Sequence, residues 1–522
     1  MNTLAVEGEL RPVNPATLES VGAVPVTRNV AAVVAEAASA QEAWSRSSFE
    51  DRRRLLVGAA RVVLGRIDEI ASTITAETGK PIVEAYTNDL MVGIEQLAWI
   101  VSNAERSLAP EHVGYGVPYL AHKRAITVYE PLGVVGLIAP WNLPLSVPLT
   151  QAASALAAGN AVVVKSSELT PHSGAWIEEI FAAAGAPPGL VRIVQGAGET
   201  GAALVTAPGV AKIVFTGSAA TGRAVASAAG ELLRPVTLEL GGKDPMLVLG
   251  DADLRRAVDG AVWGSFANCG QLCIGVERIY VARDLHARFV DALAARAREL
   301  RIGRGDDPDT DLGPLITESR RGRVEDLVAE ALERGAEAVT GARRPDLDLP
   351  GWFYEPTVLV GGDPESRIEQ EEIFGPVVTV QPFDDEDEAV HLANATKFGL
   401  GASIWSRDIS RARELAFRVE AGMVWTNDLG HSFGAGPAPW GGRKQSGFGL
   451  THSRHALHDM SQLKLVDVDR GRVRVPWWYP YGPRSIDGFK GVLEILHGEA
   501  RLRALWTHRR GLAHLARRYL SG

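Results

Sequence analysis

From Leu132 onward, short apolar runs alternate with helical stretches, and this alternation constrains the fold more than any other feature of the 522-residue chain. The runs are Leu132–Ile138, Ala161–Lys165, Leu190–Val194, Lys212–Phe215 and Val236–Leu240. Between them lie the helical stretches Ser146–Ala158, His172–Ala184 and Ala219–Glu231. A strand buried on both faces reads as a continuous apolar run, and a strand–helix–strand order makes neighbouring strands parallel. The expected fold is therefore α/β, built on doubly wound parallel sheets. A second unit of the same kind begins after Gly241, with strands at Met246–Leu249, Glu277–Val281 and Val377–Val380 and helices near Leu254–Phe266 and Ala287–Leu300. Ligands of such sheets bind beyond the carboxyl ends of the strands, so the candidate functional residues are sought there.

The first hundred residues read as helices. Asn29 is placed to cap one whose apolar face holds Val30, Val33, Val34, Ala37 and Ala38. A second runs from Asp51 towards Thr75 and stops at Glu77-Thr78-Gly79-Lys80-Pro81, because Gly favours a left-handed cap and Pro cannot continue a helix. A third spans Glu84 to Arg106. All three read as scaffold. His122 to Tyr129 alternates as a strand of an edge hairpin. With 46% hydrophobic and 22% charged residues the composition is that of a globular protein, and a net charge of −9 argues against general nucleic-acid binding. Two cysteines make no disulfide framework, the start carries no secretory signal pattern, and no apolar stretch reaches the roughly 18 residues that span a bilayer. The expected location is the cytoplasm.

Both cysteines lie in Phe266-Ala267-Asn268-Cys269-Gly270-Gln271-Leu272-Cys273. Such a run suits a metal half-site, a redox pair, a nucleophile loop or two small buried hydrophobes. A metal finds no neighbouring His and no second Cys pair, and a redox pair normally has a two-residue gap. A nucleophile is favoured by Leu238-Glu239-Leu240-Gly241-Gly242, where an apolar strand ends in an acid at a glycine opening. Three further strand ends carry candidates. Ile138-Ala139-Pro140-Trp141-Asn142-Leu143-Pro144 is a proline-bounded loop with one amide side chain, which also reads as a rigid turn. Lys165-Ser166-Ser167-Glu168 offers an acid able to accept both hydroxyls of a ribose and to repel a 2′-phosphate, or merely a solvated turn charge. Phe215-Thr216-Gly217-Ser218-Ala219-Ala220-Thr221-Gly222 runs from strand to helix, and glycines there let the backbone approach a pyrophosphate. Its spacing is neither G-x-G-x-x-G nor a Walker loop.

These motifs together resemble the aldehyde dehydrogenases. Leu238-Glu239-Leu240-Gly241-Gly242-Lys243 followed by Phe266 to Cys273 is similar to that family's paired signature, and the resemblance runs from about Val13 to Val468. It implies a Rossmann-like cofactor domain (1–112 and 131–240), a catalytic domain (241–440), a small β oligomerisation arm (113–130 and 455–470) and a C-terminal extension (471–522). It implies Cys273 as nucleophile, Glu239 as general base, and Asn142 with the Cys273 N–H as oxyanion donors. Cofactor contacts carried over are Ile138, Trp141, Lys165, Glu168, Gly198 (with Gly201 beside it), Thr216, Gly217, Ser218, Gly222 and Leu240. Glu372 and Phe374 of Glu371-Glu372-Ile373-Phe374-Gly375-Pro376 join them at the nicotinamide end. No metal is implied. The cofactor is NAD, with NADP admissible, the partner a small-molecule aldehyde, and the assembly a homodimer or homotetramer. The implied reaction oxidises the aldehyde to a carboxylic acid through a cysteine thiohemiacetal and thioester.

Two rivals remain: a coenzyme A-acylating semialdehyde dehydrogenase, against which Glu239 speaks, and a catalytically retired protein of the same fold, against which the Cys273, Glu239 and Asn142 set speaks. Pro439 to Gly447 resembles the family's return segment to the cofactor domain, and the loop Leu429 to Ala438 before it is expected to line the substrate entrance. That loop has no Arg or Lys, only His431, which favours an apolar or aromatic aldehyde over one bearing a carboxylate. The chain departs from the family twice. Leu450-Thr451 stands where many members carry Arg-Glu, leaving the proton exit open. The tail 484–522 holds Leu502, Leu505, Trp506, Leu512 and Leu515 beside Arg509, Arg510, Arg517 and Arg518. It reads as a helix packed across a neighbouring subunit rather than one lying on an anionic membrane, since Gly498 and Gly511 weaken it.

Overall fold

The computed structural model describes residues 5–6, 8–471 and 473–520. The chain divides into two compact units, Met1–Leu108 with Glu130–Gln462, and Ala109–Tyr129 with Leu463–Gly522. Both parallel sheets belong to the first unit. One has the order Val191–Val194, Ala161–Lys165, Val134–Ile138, Val210–Thr216, Val236–Glu239, all parallel, with Gly447–Phe448 added antiparallel at the edge. The chain order reverses between Val134–Ile138 and Val210–Thr216, so the crevice of a doubly wound sheet opens at the ends of these two strands. The strands Val134–Ile138 and Ala161–Lys165 are buried throughout, as their continuous apolar runs require. The return segment completes this sheet: Phe448 pairs with Leu238 and Gly447 with Glu239.

The second sheet has seven strands, in the order Ala336–Thr340, Thr357–Gly361, Val377–Phe383, Val276–Ala282, Asp244–Val248, Gly401–Trp405, Met423–Thr426; only the first is antiparallel to its neighbour. Its core carries Met246, Ile279, Val358, Val378 and Phe266, the last at the end of helix Leu254–Phe266. Asp253 caps that helix by accepting the Arg256 N–H.

Two helical expectations are corrected. The stretch read as one helix from Asp51 is two, Phe49–Gly65 and Ile67–Thr78, because Arg66 leaves helical geometry (φ −125°, ψ 27°) after Gly65. The helix read from Glu84 to Arg106 opens with a widened π-turn, Ala85–Met91, before the regular helix Val92–Ser107. Such widened turns concentrate at functional sites, and this one holds Asp89.

The second unit has a three-stranded sheet, Ser461–Asp469, Lys123–Pro131, Glu111–Val113, and three helices, Pro483–His497, Arg501–Thr507 and Arg509–Leu520. The first and last helices cross backbone to backbone: a Cβ at Gly488 would stand 2.5 Å from the Gly511 carbonyl, and one at Gly491 2.5 Å from His508 Cβ. The glycines read as weakening this tail have definite places. Gly511 is the crossing point and Gly498 ends the first helix.

Candidate active site

The Cys273 loop is a tight, buried turn. Asn268 and Cys269 both have left-handed backbones (φ 51° and 57°), and so does Gly270 (φ 69°), where a Cβ would collide with the Gly375 carbonyl. Cys269 is 1% exposed and belongs to the core of the second sheet, whereas Cys273 is half-buried and reaches open space. The sequence motif thus resolves into one packing cysteine and one accessible cysteine.

Cys273 stands on the wall shared by two cavities. The first is lined by Trp141, Asn142, Thr216, Gly217, Ser218, Glu239, Leu240, Glu372 and Phe374, so ten of the predicted site residues, Cys273 included, meet there. The second is lined by Met91, Val92, Leu143, Trp263, Leu272, Ile274, Leu429, His431, Phe433 and Trp440. The loop expected at the substrate entrance supplies Leu429, Gly430, His431, Phe433 and Gly434 of this second wall.

Glu239 ends its strand in the first cavity, buried, with Oε1 lacking any hydrogen-bond partner. Burial alone pushes its carboxyl well above the usual range. Burial, and then the nearby Asp244, Glu239 and Glu372 carboxyls, likewise push the Cys273 thiol up. The neutral thiol therefore prevails until a base removes its proton. The Asn142 amide donates one hydrogen to the Gln271 carbonyl (3.0 Å), which fixes the plane of the group and leaves its second hydrogen for the cavity.

The remaining predicted residues have distinct places. Glu372 accepts the Gly242 N–H at 3.2 Å, and its carboxylate lies so close to Gly241 that a Cβ there would collide with it. Burial and Glu277 push Glu372 up to about 7. Phe374 (φ 55°) meets Trp141 edge to face at 5.4 Å. Ser218 caps helix Ala219–Glu231 by accepting the Thr221 N–H, and with Gly217 it brings the start of that helix to the cavity wall. Gly222, one turn in, is a packing position: a Cβ there would lie 2.5 Å from Leu240 Cδ2. Lys165 and Glu168 pair at 3.0 Å past the next strand. Gly198 opens helix Gly198–Thr206, and Gly201 packs against Ile138, the last residue of the central strand. Neither Gly198, Ile138 nor the Lys165–Glu168 pair lines the cavity around Cys273. The residues present fit a dinucleotide: backbone and a helix N-terminus for phosphates, and two separate carboxylates, Glu168 and Glu372, for two riboses.

Sequence reasoning missed a layer beneath these residues, in which the first helices, read as scaffold, brace the loops of the site. Lys80, fully buried, pairs with Asp89 at 2.8 Å and donates to the Asn142 carbonyl at 2.7 Å. Asp89 in turn accepts the N–H groups of Leu145 and Ser146. Glu84 accepts the Asn268 N–H through both oxygens at 2.9 and 3.0 Å. The first helices therefore hold both the Asn142 loop and the Cys273 loop. The only sequence signal was a Lys beside a helix-stopping Gly and Pro. Lys80→Met leaves Asp89 buried without its cation, which is expected to lower stability by about 3–5 kcal/mol in a denaturant titration and to lower kcat as the Asn142 loop loosens. His452 was missed as well. It lines the first cavity, is 4% exposed, lies 5.2 Å from the Phe433 ring, and is pushed down to about 3 by burial, so it is neutral.

A family model for the aldehyde dehydrogenase family matches residues 5–466. The chain is 40% identical over 467 residues to a betaine aldehyde dehydrogenase of Mesorhizobium japonicum, covering 89% of this chain and 94% of that one. It is 41% identical over 438 residues to betaine aldehyde dehydrogenase 2 of Rhizobium meliloti, covering 83% and 88%. Among solved structures, an aldehyde dehydrogenase of Mycobacterium tuberculosis complexed with NAD+ superposes with a TM-score of 0.85 at 34% identity, covering 90% of this chain and 96% of that one. Fold, site geometry and these likenesses agree: the chain belongs to the aldehyde dehydrogenase family.

Proposed function

We propose that the protein oxidises an uncharged apolar or aromatic aldehyde to the carboxylic acid with NAD, through a thioester on Cys273. The observation that carries this reading is the place of Cys273 between a cavity with phosphate- and ribose-binding features and one with apolar walls. The Cys273 thiol gives its proton to Glu239 and attacks the aldehyde carbon, forming a C–S bond. The developing oxyanion accepts from the free Asn142 amide hydrogen and the Cys273 N–H. Bound in the first cavity, a nicotinamide dinucleotide supplies the acceptor for the hydride that the carbon gives up. Glu239, having passed the thiol proton to solvent, then takes a proton from water, the hydroxide attacks the acyl carbon, the C–S bond breaks as Glu239 returns that proton to the sulfur, and the acid leaves.

Neither Lys nor Arg lines the second cavity among the described residues, so a substrate carboxylate finds no partner there. Betaine aldehyde is the second reading. The relatives' names suggest it, and Trp263, Phe433, Trp440 and Asp428 in the same wall suit a trimethylammonium group. A panel of benzaldehyde, hexanal, betaine aldehyde and succinic semialdehyde, followed by NADH absorbance, separates them. The highest kcat/KM is expected for the uncharged aldehydes, and a preference for succinic semialdehyde contradicts both readings. Adding coenzyme A should leave the free acid as product. Self-association through the strands Lys123–Pro131 and Ser461–Asp469, where Leu463 and Leu465 are exposed on one face, belongs to the same reading. Glu168→Ser removes the carboxylate that repels a 2′-phosphate. It is expected to raise the ratio of NADP to NAD activity by about tenfold or more, measured as kcat/KM with each cofactor.

A further inference from the structure

The last three helices expose apolar surface that their own packing leaves uncovered. In helix Arg501–Thr507, Leu502, Leu505 and Trp506 recur at the spacing of one helix face and are 86%, 53% and 71% exposed. Ala504, on the opposite face, is buried. At 3.6 residues per turn, Arg501 and Arg503 fall on either side of this apolar arc. Arg509 lies over the Trp506 ring at 4.5 Å. Such an arrangement lets the arginine stems lie along apolar surface while their guanidinium groups reach the polar boundary. Charge sets this part of the chain apart from the rest. Residues 483–520 hold eight Lys or Arg and three Asp or Glu, a net of +5, so the remaining chain carries −14 of the total of −9.

We propose that this face, Leu502, Leu505 and Trp506 flanked by Arg501, Arg503 and Arg509, docks on an anionic lipid bilayer. No helix among the described residues is long and apolar enough to cross a membrane, so the contact is with the surface. Three apolar side chains supply insertion, and the arginines supply attraction to anionic headgroups. A second copy of the chain suits the face less well. Two-fold pairing of this patch with itself sets arginine against arginine. Tryptophan and tyrosine favour the level of the headgroups, and Trp478, Tyr479 and Tyr481 are exposed in the segment leading into the first of these helices.

The test is flotation of the full-length protein with phosphatidylcholine vesicles, either plain or containing roughly one-third phosphatidylglycerol. The wild type is expected to co-float with the anionic vesicles at least about tenfold more than with plain ones, and to be released by salt. The triple variant Leu502→Ser, Leu505→Ser, Trp506→Ser is expected to stay at the bottom of the gradient with unchanged dehydrogenase activity, since none of the three lines the active-site cavities. The charge variant Arg501→Glu, Arg503→Glu, Arg509→Glu should lose co-flotation in the same way. Equal co-flotation with both vesicle types, or of wild type and triple variant, overturns the proposal. So does a wild type that does not float but whose oligomer dissociates on the triple substitution, which assigns the face to a subunit interface.

Discussion

Cys273→Ala is expected to abolish aldehyde-dependent NADH formation, with a fall in kcat of about 10⁴-fold or more, because no other group at the junction of the two cavities can form the acyl bond. Cys269→Ala is expected to keep most activity. Its side chain is buried in the core beside the loop, it lines neither cavity, and the substitution removes only one sulfur atom. Initial rates with saturating NAD and benzaldehyde check both variants. Equal losses in the two contradict the division of the motif into a nucleophile and a packing residue.

Glu239→Gln is expected to slow turnover by about 10²–10⁴-fold, the range of a lost general base. The pH dependence has a definite sign. Burial raises the Glu239 carboxyl well above its ordinary value, so the base is largely protonated at low pH and becomes available as pH rises. The wild-type kcat/KM should therefore climb with pH through that raised value, and the Gln variant should lack this limb. Glutamine cannot take a proton, so a rising limb of the same midpoint in the variant assigns the titration to another group, such as Glu372.

The strands of the first parallel sheet were legible within a residue or two because strands buried on both faces leave continuous apolar runs. The helix near Leu254–Phe266 was legible from the strand–helix alternation, and the structure adds the Asp253 cap at its start. The break at Arg66 was not, since no proline marks it and the helical pattern continues on either side. The layer that holds the loops was invisible for another reason. Lys80 meets Asn142 across 62 residues, and Glu84 meets Asn268 across 184. Single long-range polar contacts leave no periodic trace. Glu372 was placed at the nicotinamide end by resemblance alone, and only the fold presses it against Gly241. The motifs named the chemistry, whereas the packing that makes Cys269 inert and Cys273 accessible belongs to three dimensions.

The account rests on an acyl group forming on one sulfur and leaving with the help of one carboxylate. Mass spectrometry of the wild-type enzyme, quenched in acid within the first turnover after mixing with benzaldehyde and NAD, tests this directly. The account predicts that the peptide containing Cys273 gains the mass of a benzoyl group, removable by hydroxylamine, together with a burst of NADH stoichiometric with active sites. An unmodified peptide despite an NADH burst, or a benzoyl group on Cys269 instead, would contradict it.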